Sequence, residues 1–222
     1  MSEKHYLHEV ARDGKREKVN AWINHNPDLV FSRKSDGSTP LHWAATGGHK
    51  DAVMLLLANG AEVNARSDNG DTALHNARDH EEVAECLLVH GAEVDAMNNE
   101  GKTPFHLADT EVAELLLSHG ADINARDHNG STRLHHAAKY GSKDFVEWLL
   151  SNQADVNALD KFGLTPLNRA MGYEGKDVTP ASMHELDRSR VEVRDLLRKH
   201  GGKSGMELLS EGSLTKPRSV VM

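Results

Sequence analysis

A four-residue phrase that recurs at intervals of about 30 residues constrains the fold of this chain more than any other feature. It reads Thr-Pro-Leu-His at 39–42 and returns, with one residue changed in each copy, at 72–75, 103–106, 132–135 and 165–168. A pair of leucines follows every copy, and a Gly-Ala pair follows the first three. A fixed period with constant wording is typical of stacked repeats, in which each unit buries its apolar face against its neighbours.

The residues of the phrase have the properties that a helix start requires. Thr39 can accept hydrogen bonds from the first backbone N–H groups of a helix, and Pro40 suits the first helical position because no N–H is needed there. Leu41 then faces the stack. The leucines at 55–57 form the apolar stripe of a second helix, which Gly60 ends in a left-handed conformation. The sequence therefore predicts two helices in each repeat.

The unit at 34–66 resembles the ankyrin repeat, and the resemblance covers roughly residues 5–202. It implies an α-solenoid, an ankyrin repeat array with a β-hairpin and an antiparallel helix pair per repeat, in about six units including caps. It also implies structural hydrogen bonds from the histidines of the phrase. Helices pack about 8–10 Å apart, whereas zinc needs nitrogen ligands at about 2.0–2.1 Å. One ion therefore cannot collect these histidines, which are His42, His75, His106 and His135.

The repeat pattern divides the chain into seven segments. We expect a degenerate N-terminal capping repeat at 1–33, a full repeat at 34–66, shortened repeats at 67–97 and 98–126, a full repeat at 127–159, a last repeat at 160–202 with an insertion near 172–187, and a disordered tail at 203–222.

Both shortened repeats lose residues at the junction between their two helices. We therefore expect shorter helices there and a shallower wall, which is either a notch for a ligand or drift in a tolerant loop. The fifth repeat carries Gln153 where other repeats have the helix-ending glycine. Gln153 must either adopt a costly positive φ or end the helix differently.

Composition and motifs argue against several classes of function. The net charge is −8, from 34 acidic and 26 basic residues, which disfavours a nucleic-acid partner. One cysteine, Cys86, excludes an intrachain disulfide, and no apolar run reaches the ~18 residues of a membrane span. We expect a cytoplasmic monomer without membrane insertion. His-Glu-x-x-His, glycine-rich phosphate loops and nucleophile arrangements are missing. We therefore expect no enzyme, catalytic residue, cofactor or metal site.

The resemblance implies a non-enzymatic module, an adaptor, inhibitor or scaffold, that binds another protein on the concave face of the array. Hairpin tips and first helices line this face in ankyrin arrays. Transferred by position, the candidates at the tips are Asp36, Ser38, Asp68, Asn69, Asp71, Asn99, Lys102, His128, Asn129, Ser131, Lys161, Phe162 and Leu164. Those on the first helices are Trp43, Thr46, Asn76, Arg78, His136, Lys139, Tyr140 and Arg169, and Tyr173 follows in the insertion.

Apolar residues concentrate in the last part of this candidate face. Turn geometry requires neither Phe162 nor Leu164, and Tyr140 and Tyr173 are close in sequence. Grouped exposed apolar side chains mark contact surfaces, so we expect the binding hot spot here. The alternative is that the insertion covers Phe162 and Leu164 and seals the last repeat.

Other functions stay open from the sequence. A regulatory subunit could bind through residues 172–187 or the tail, and an enzyme could carry an unrecognised site. The end of the tail, 220–222, could add as a strand to a groove that reads C-termini. Asn124 and Asn157 resemble acceptors of an asparaginyl hydroxylase that modifies ankyrin repeats, although the same residues have structural roles in the repeat.

Overall fold

A computed structural model describes residues 3–172 and 188–211 of the chain. The secondary structure of these residues is helical, and no β-strand occurs among them. Contacts between residues divide the chain into two compact units, 1–122 and 123–222.

The first unit consists of four helix pairs. First helices pack on first helices and second helices on second helices along the sequence, and Leu41, Leu74 and Phe105 are buried between them. The expected N-terminal cap forms the first pair, and a 3-10 turn at Pro27–Phe31 follows it. The pairs are α1 (Glu3–Arg12) and α2 (Arg16–His25), α3 (Pro40–Thr46) and α4 (Lys50–Ala58), α5 (Ala73–Asn76) and α6 (Glu81–Val89), and α7 (Pro104–Leu107) and α8 (Thr110–Ser118).

The second unit contains two further helix pairs and a short last helix. Its core includes Leu134, Leu149, Leu167 and Leu197, all fully buried. The predicted start of the last second helix, near residue 182, lies outside the described residues, as does 173–187 as a whole. The helices are α9 (Arg133–Tyr140) and α10 (Lys143–Ser151), α11 (Pro166–Ala170) and α12 (Arg188–Lys199), and α13 (Gly205–Ser210).

At α3, α5 and α9 the histidine of the phrase ties the helix start to the next repeat, which confirms its predicted structural role. The backbone N–H of Thr39 donates to Nδ1 of His42 over 3.2 Å, and the Thr39 hydroxyl lies 2.8 Å from the same nitrogen. Because Nδ1 accepts, the ring proton is on Nε2, which donates to the carbonyl of Asp71 over 2.8 Å. In the same way Nε2 of His75 reaches the carbonyl of Lys102.

The shortened repeats lose residues from the first helix, and the fourth repeat also loses one from the connection that follows it. Helices α5 and α7 have four residues each, whereas α3 has seven and α9 has eight. Helices α4, α6, α8 and α10 all have nine. The prediction of shorter helices is therefore wrong for the second helices. Their leucines seal the core, with Leu56, Leu87 and Leu116 fully buried, so shortening there would open the interior.

Asp109 stabilises the shortest junction between a first and a second helix, which lies between α7 and α8. Its carboxylate accepts from the N–H of Val112 over 2.9 Å and caps α8. Its own N–H donates to the carbonyl of Arg78 in the preceding repeat over 2.8 Å. One aspartate thus satisfies the backbone of a connection that occupies 47–49 in the full repeat.

Gln153 takes the first of its two predicted options. Its φ is +68°, the single positive value for a non-glycine residue in the described part of the chain. Gly60, Gly91 and Gly120 hold the equivalent place after the second helix of their repeats, with φ near +88°. The backbone therefore follows the same path here as in the other repeats, and the positive φ strains it locally.

The prediction of a disordered tail is wrong for residues 203–211, since α13 lies there. Its start is a capping box: the Ser204 N–H donates to the Glu207 carboxylate, and the Glu207 N–H donates to the Ser204 hydroxyl. The N–H of Gly205 donates to Oδ1 of Asn168 over 2.9 Å, and Leu208 is buried. The helix is stable because it packs on the last repeat. Residues 212–222 lie outside the described part.

Candidate protein-interaction surface

Aspartates hold the turns that precede the first helices. In the second unit, the Asp127 carboxylate accepts from the N–H groups of Asn129 and Ser131 over 2.8 and 2.9 Å. The Asp160 carboxylate binds the same two positions of the next turn, at 2.8 and 3.0 Å. The Lys161 N–H donates to the carbonyl of Asn129, so that adjacent turns are joined. These bonds give the turn tips a defined position beside the helices that follow.

Neighbouring turns of the first unit are joined in the same way. The N–H of Asp68 donates to the carbonyl of Asp36, and that of Asn99 donates to the carbonyl of Asn69, both over 2.9 Å. The side-chain amide of Asn99 also donates to the carbonyl of Asp68 over 2.8 Å. Several predicted contact residues thus build the turns as well as facing solvent.

Three of the predicted contact residues are buried and cannot offer a side chain to a partner. They are Ser38, Ser131 and Leu164. Leu164 is 8% exposed, its N–H donates to Asp160, and its carbonyl accepts from His135 Nε2 over 3.1 Å. The expectation that Leu164 contributes to an exposed hot spot is therefore wrong, because the turn directs this residue inward.

Trp43 is half-buried, and polar and charged groups surround its indole ring. Its indole N–H donates to the Ser38 hydroxyl over 2.8 Å, and that hydroxyl donates to the Asp36 carboxylate over 2.5 Å. The bond from Ser38 lowers the pKa of Asp36. The Lys34 ammonium lies 3.6 Å from the centroid of the indole ring, and the Arg12 guanidinium lies 5.2 Å from it. Two cations therefore lie against this aromatic residue.

Two first-helix candidates of the second unit bind the acid of their own turn. His136 Nε2 lies 3.0 Å from the Asp127 carboxylate, and the Arg169 guanidinium donates to the Asp160 carboxylate over 2.6 Å. Burial of Asp127 opposes its ionisation, yet the hydrogen bonds from His136 and the backbone of Ser131 and Asn129 lower its pKa to about 2. Both carboxylates are therefore occupied by partners within their own repeat.

The remaining candidates reach solvent to different degrees. Tyr140 is 72% exposed and Phe162 is 46% exposed, and the Lys139 ammonium lies 6.0 Å from the Tyr140 ring. Tyr173 lies outside the described residues. Exposed as well are Thr46, Asp68, Asn69, Arg78, Asn99, His128, Asn129 and Lys161, and half-buried are Asp71, Asn76, Lys102 and Lys139.

Sequence reasoning missed two features of the surface. Arg33 donates to the carbonyls of Gly37 and Arg66 over 2.9 and 2.6 Å, and joins two turns. Its signal was the recurrence of arginine at 33, 66 and 126, just before a turn. Met206 and Leu209 are exposed on α13. No repeat signal could have found them, because α13 does not carry the phrase.

The described ranges, 3–172 and 188–211, contain no group of three or more His, Cys, Asp or Glu side chains placed to hold a metal ion. Helices long and apolar enough to cross a membrane are likewise missing from this part of the chain. Cys86 is buried, and burial raises the pKa of its thiol.

The chain is similar to proteins with unlike names over alignments of 69 to 73 residues. A probable E3 ubiquitin-protein ligase of Oryza sativa subsp. japonica, XBOS32, is 42% identical over 69 residues, which are 31% of this chain and 14% of that protein. A transient receptor potential cation channel subfamily A member 1 homolog of Caenorhabditis elegans is 39% identical over 31% of this chain and 6% of its own length. Oxysterol-binding protein-related protein 1 of Homo sapiens is 37% identical over 32% of this chain and 8% of its own length.

The alignments to these relatives span 14% or less of their lengths. A model of ankyrin repeats matches far more of this chain, in three overlapping copies at 7–98, 59–127 and 109–179. The matched residues contain helices α2 to α11, the capping threonines and the histidines that join successive turns. The chain belongs to the ankyrin repeat family.

Proposed function

We propose that this chain acts as a protein-binding module, an adaptor, inhibitor or scaffold, and performs no catalysis of its own. The partner contacts the turn tips and first helices. The observation that carries the proposal is the exposure of Tyr140 and Phe162, at 72% and 46%, on elements whose other large apolar residues are buried. Aromatic side chains supply much of the energy of protein interfaces when a partner covers them.

A second observation supports the same surface. The capping threonine and the phrase histidine recur in successive repeats, whereas the half-buried position that follows the phrase on the first helix holds a different residue each time. That position carries Trp43, Asn76, Leu107, His136 and Arg169. A uniform scaffold with a varied surface suits recognition of one specific partner, because every repeat presents a different contact.

The test is capture of partners from the native source with crosslinking, followed by affinity measurements with variants. Tyr140→Ala and Phe162→Ala should each weaken binding of the captured partner about tenfold or more. Val89→Ala on α6 is the matched control, since it removes an exposed apolar side chain from a second helix, away from the tips and first helices. The melting temperature should not change, because Tyr140 and Phe162 are exposed.

The outcome separates the proposal from its alternatives. Unchanged affinity in both aromatic variants, with loss of binding on deletion of 173–187, would assign recognition to the insertion instead. A fall of the melting temperature with unchanged affinity would mean that the aromatic residues stabilise the repeat. A cytoplasmic location and a monomeric state belong to the proposal, and sedimentation of the purified chain tests the second.

A further inference from the structure

We infer that the second unit recognises an acidic segment of its partner that also carries aromatic or aliphatic residues. The inference rests on the proposed function and names the chemistry of the ligand. The surface in question, the basic tip surface, consists of His128, Lys139, Tyr140, Lys161 and Phe162.

The exposed charges on the turns and first helices of this unit are basic. Residues 127–141 and 160–172 contain two acids, Asp127 and Asp160. Their side chains are 2% and 0% exposed. Each accepts two backbone N–H groups and is paired with a base of its own repeat, His136 or Arg169. A partner therefore meets no carboxylate on these segments.

The same segments also carry two lysines, which are not part of these two acid–base pairs. Lys161 is exposed at the tip of the last turn, and Lys139 is half-buried one residue before Tyr140. His128 is exposed at the tip of the preceding turn, which the Lys161 N–H joins through the Asn129 carbonyl. Two ammonium groups therefore lie at the last tip and near the end of α9, and an imidazole lies at the preceding tip.

The aromatic residues lie among these cations. Tyr140 ends α9 and Phe162 lies beside Lys161 on the tip. A helix of eight residues is about 12 Å long, a length that about four extended residues cover. A short segment that alternates carboxylates with apolar side chains can therefore cover the rings and pair with the lysines.

The first unit lacks this character. Its tips expose Asp36, Asp68 and Glu100, and the carboxylate of Glu100 lies 2.6 Å from the Lys102 ammonium. The whole chain carries a net charge of −8. The basic tip surface is thus a local exception on an acidic chain. A negatively charged segment is attracted to it and is repelled by the acidic surface elsewhere.

The same chemistry could suit a nucleic acid, because phosphates pair with cations and bases stack on aromatic rings. The charge distribution favours a peptide, because nucleic-acid binding rests on many phosphate contacts from an extended basic surface. Here a few cations stand on an acidic chain.

The test uses fluorescence anisotropy with three labelled probes on the full chain. They are a peptide of four Glu-Glu-Phe triplets, a peptide of four Lys-Lys-Phe triplets and a single-stranded oligothymidine of equal length. The acidic peptide should bind, more weakly as salt is added, and the basic peptide should not. Equal or tighter binding of the basic peptide or of the oligothymidine would overturn the inference, as would failure of the acidic peptide to bind.

Variants locate the binding. Lys161→Glu should weaken binding of the acidic peptide about five- to tenfold, and Tyr140→Ala should do so about tenfold. Lys199→Glu is the matched control, since it makes the same charge change at an exposed position of α12. An equal loss of peptide binding in Lys199→Glu would mean that the effect comes from the net charge of the chain, and it would overturn the assignment of the site.

The native partner distinguishes this inference from the proposed function. If Tyr140→Ala weakens capture of the partner and Lys161→Glu does not, the interaction surface stands and the acidic ligand is wrong. If neither variant weakens capture, both proposals are wrong.

Discussion

At the scale of single residues, the phrase histidine satisfies backbone groups in two repeats with one ring. His75 accepts from the N–H of Thr72 over 3.1 Å and donates to the carbonyl of Lys102 over 3.0 Å. The last repeat replaces histidine by Asn168, whose Oδ1 accepts from the N–H of Thr165 over 3.0 Å. Asparagine therefore reproduces the bond within the repeat but not the donation to the next one.

Replacement of His75 should separate these two bonds. We expect His75→Ala to lower the free energy of unfolding by about 1–3 kcal/mol, because buried backbone groups lose their partners. His75→Asn should cost less, since the cap on Thr72 can re-form. Urea unfolding measures both, and His119→Ala, at an exposed helix end, is the control. Equal losses in the alanine and asparagine variants would contradict this division.

At the scale of elements, α13 takes the place that a further repeat would occupy. The carbonyl of Lys203 accepts from the Thr165 hydroxyl over 2.7 Å, and Gly205 donates to Asn168. The N–H of Lys203 also donates to Oδ1 of Asn157 over 2.8 Å, as the N–H of Asp155 does to Asn124. The segment therefore covers the end of the last repeat with bonds of the kind that join repeats.

The close approach of α13 depends on glycine at 205. A Cβ built there would lie 2.0 Å from the carbonyl oxygen of Gly163, so Gly205→Ala must displace the helix. We expect a loss of about 1–3 kcal/mol in unfolding free energy, with faster hydrogen exchange at Leu208. Met206→Ala on the same helix is the control, because Met206 is exposed. An unchanged stability of Gly205→Ala would show that α13 contributes nothing to the fold.

The repeat signal determined which elements could be predicted. Thr39 and Pro40 placed the start of α3 correctly, because the capping chemistry is local. The signal could not find α13, whose capping box at Ser204 and Glu207 stands outside the phrase. In the candidate surface, the exposure of Phe162 followed from turn chemistry, whereas the burial of Leu164 depends on contacts that exist only in the folded unit.

At the scale of the whole molecule, the effects of the phrase histidines add. Burial lowers the pKa of His42 and His75 and lowers that of His135 to about 4. The unfolded chain binds protons on these rings below about pH 6.5, whereas the folded chain does not until the pH is lower still. Protonation of the rings therefore favours unfolding.

The free energy of unfolding should accordingly be constant above about pH 7 and fall as the pH decreases from about 6.5 to 4. Each of the three rings adds up to about 1.4 kcal/mol per pH unit within that window. Asp127, with a pKa of about 2, contributes only below it. Urea unfolding at several pH values measures the slope, and His42→Asn should make it shallower. The same slope in that variant would mean that His42 is not among the responsible groups.

The length of the repeats varies in one region, which comprises the end of the first helix and the connection to the second helix. Residues are lost from the ends of α5 and α7, and in the last repeat the connection carries the extra segment between α11 and α12. The capped helix starts and the nine-residue second helices from α4 to α10 do not vary. Residues can therefore be inserted in this connection with the least disturbance of the structure. A foreign epitope or sensor peptide grafted between Ala170 and Arg188 should therefore leave the helix pairs undisturbed, and lineages of this chain can diverge there first.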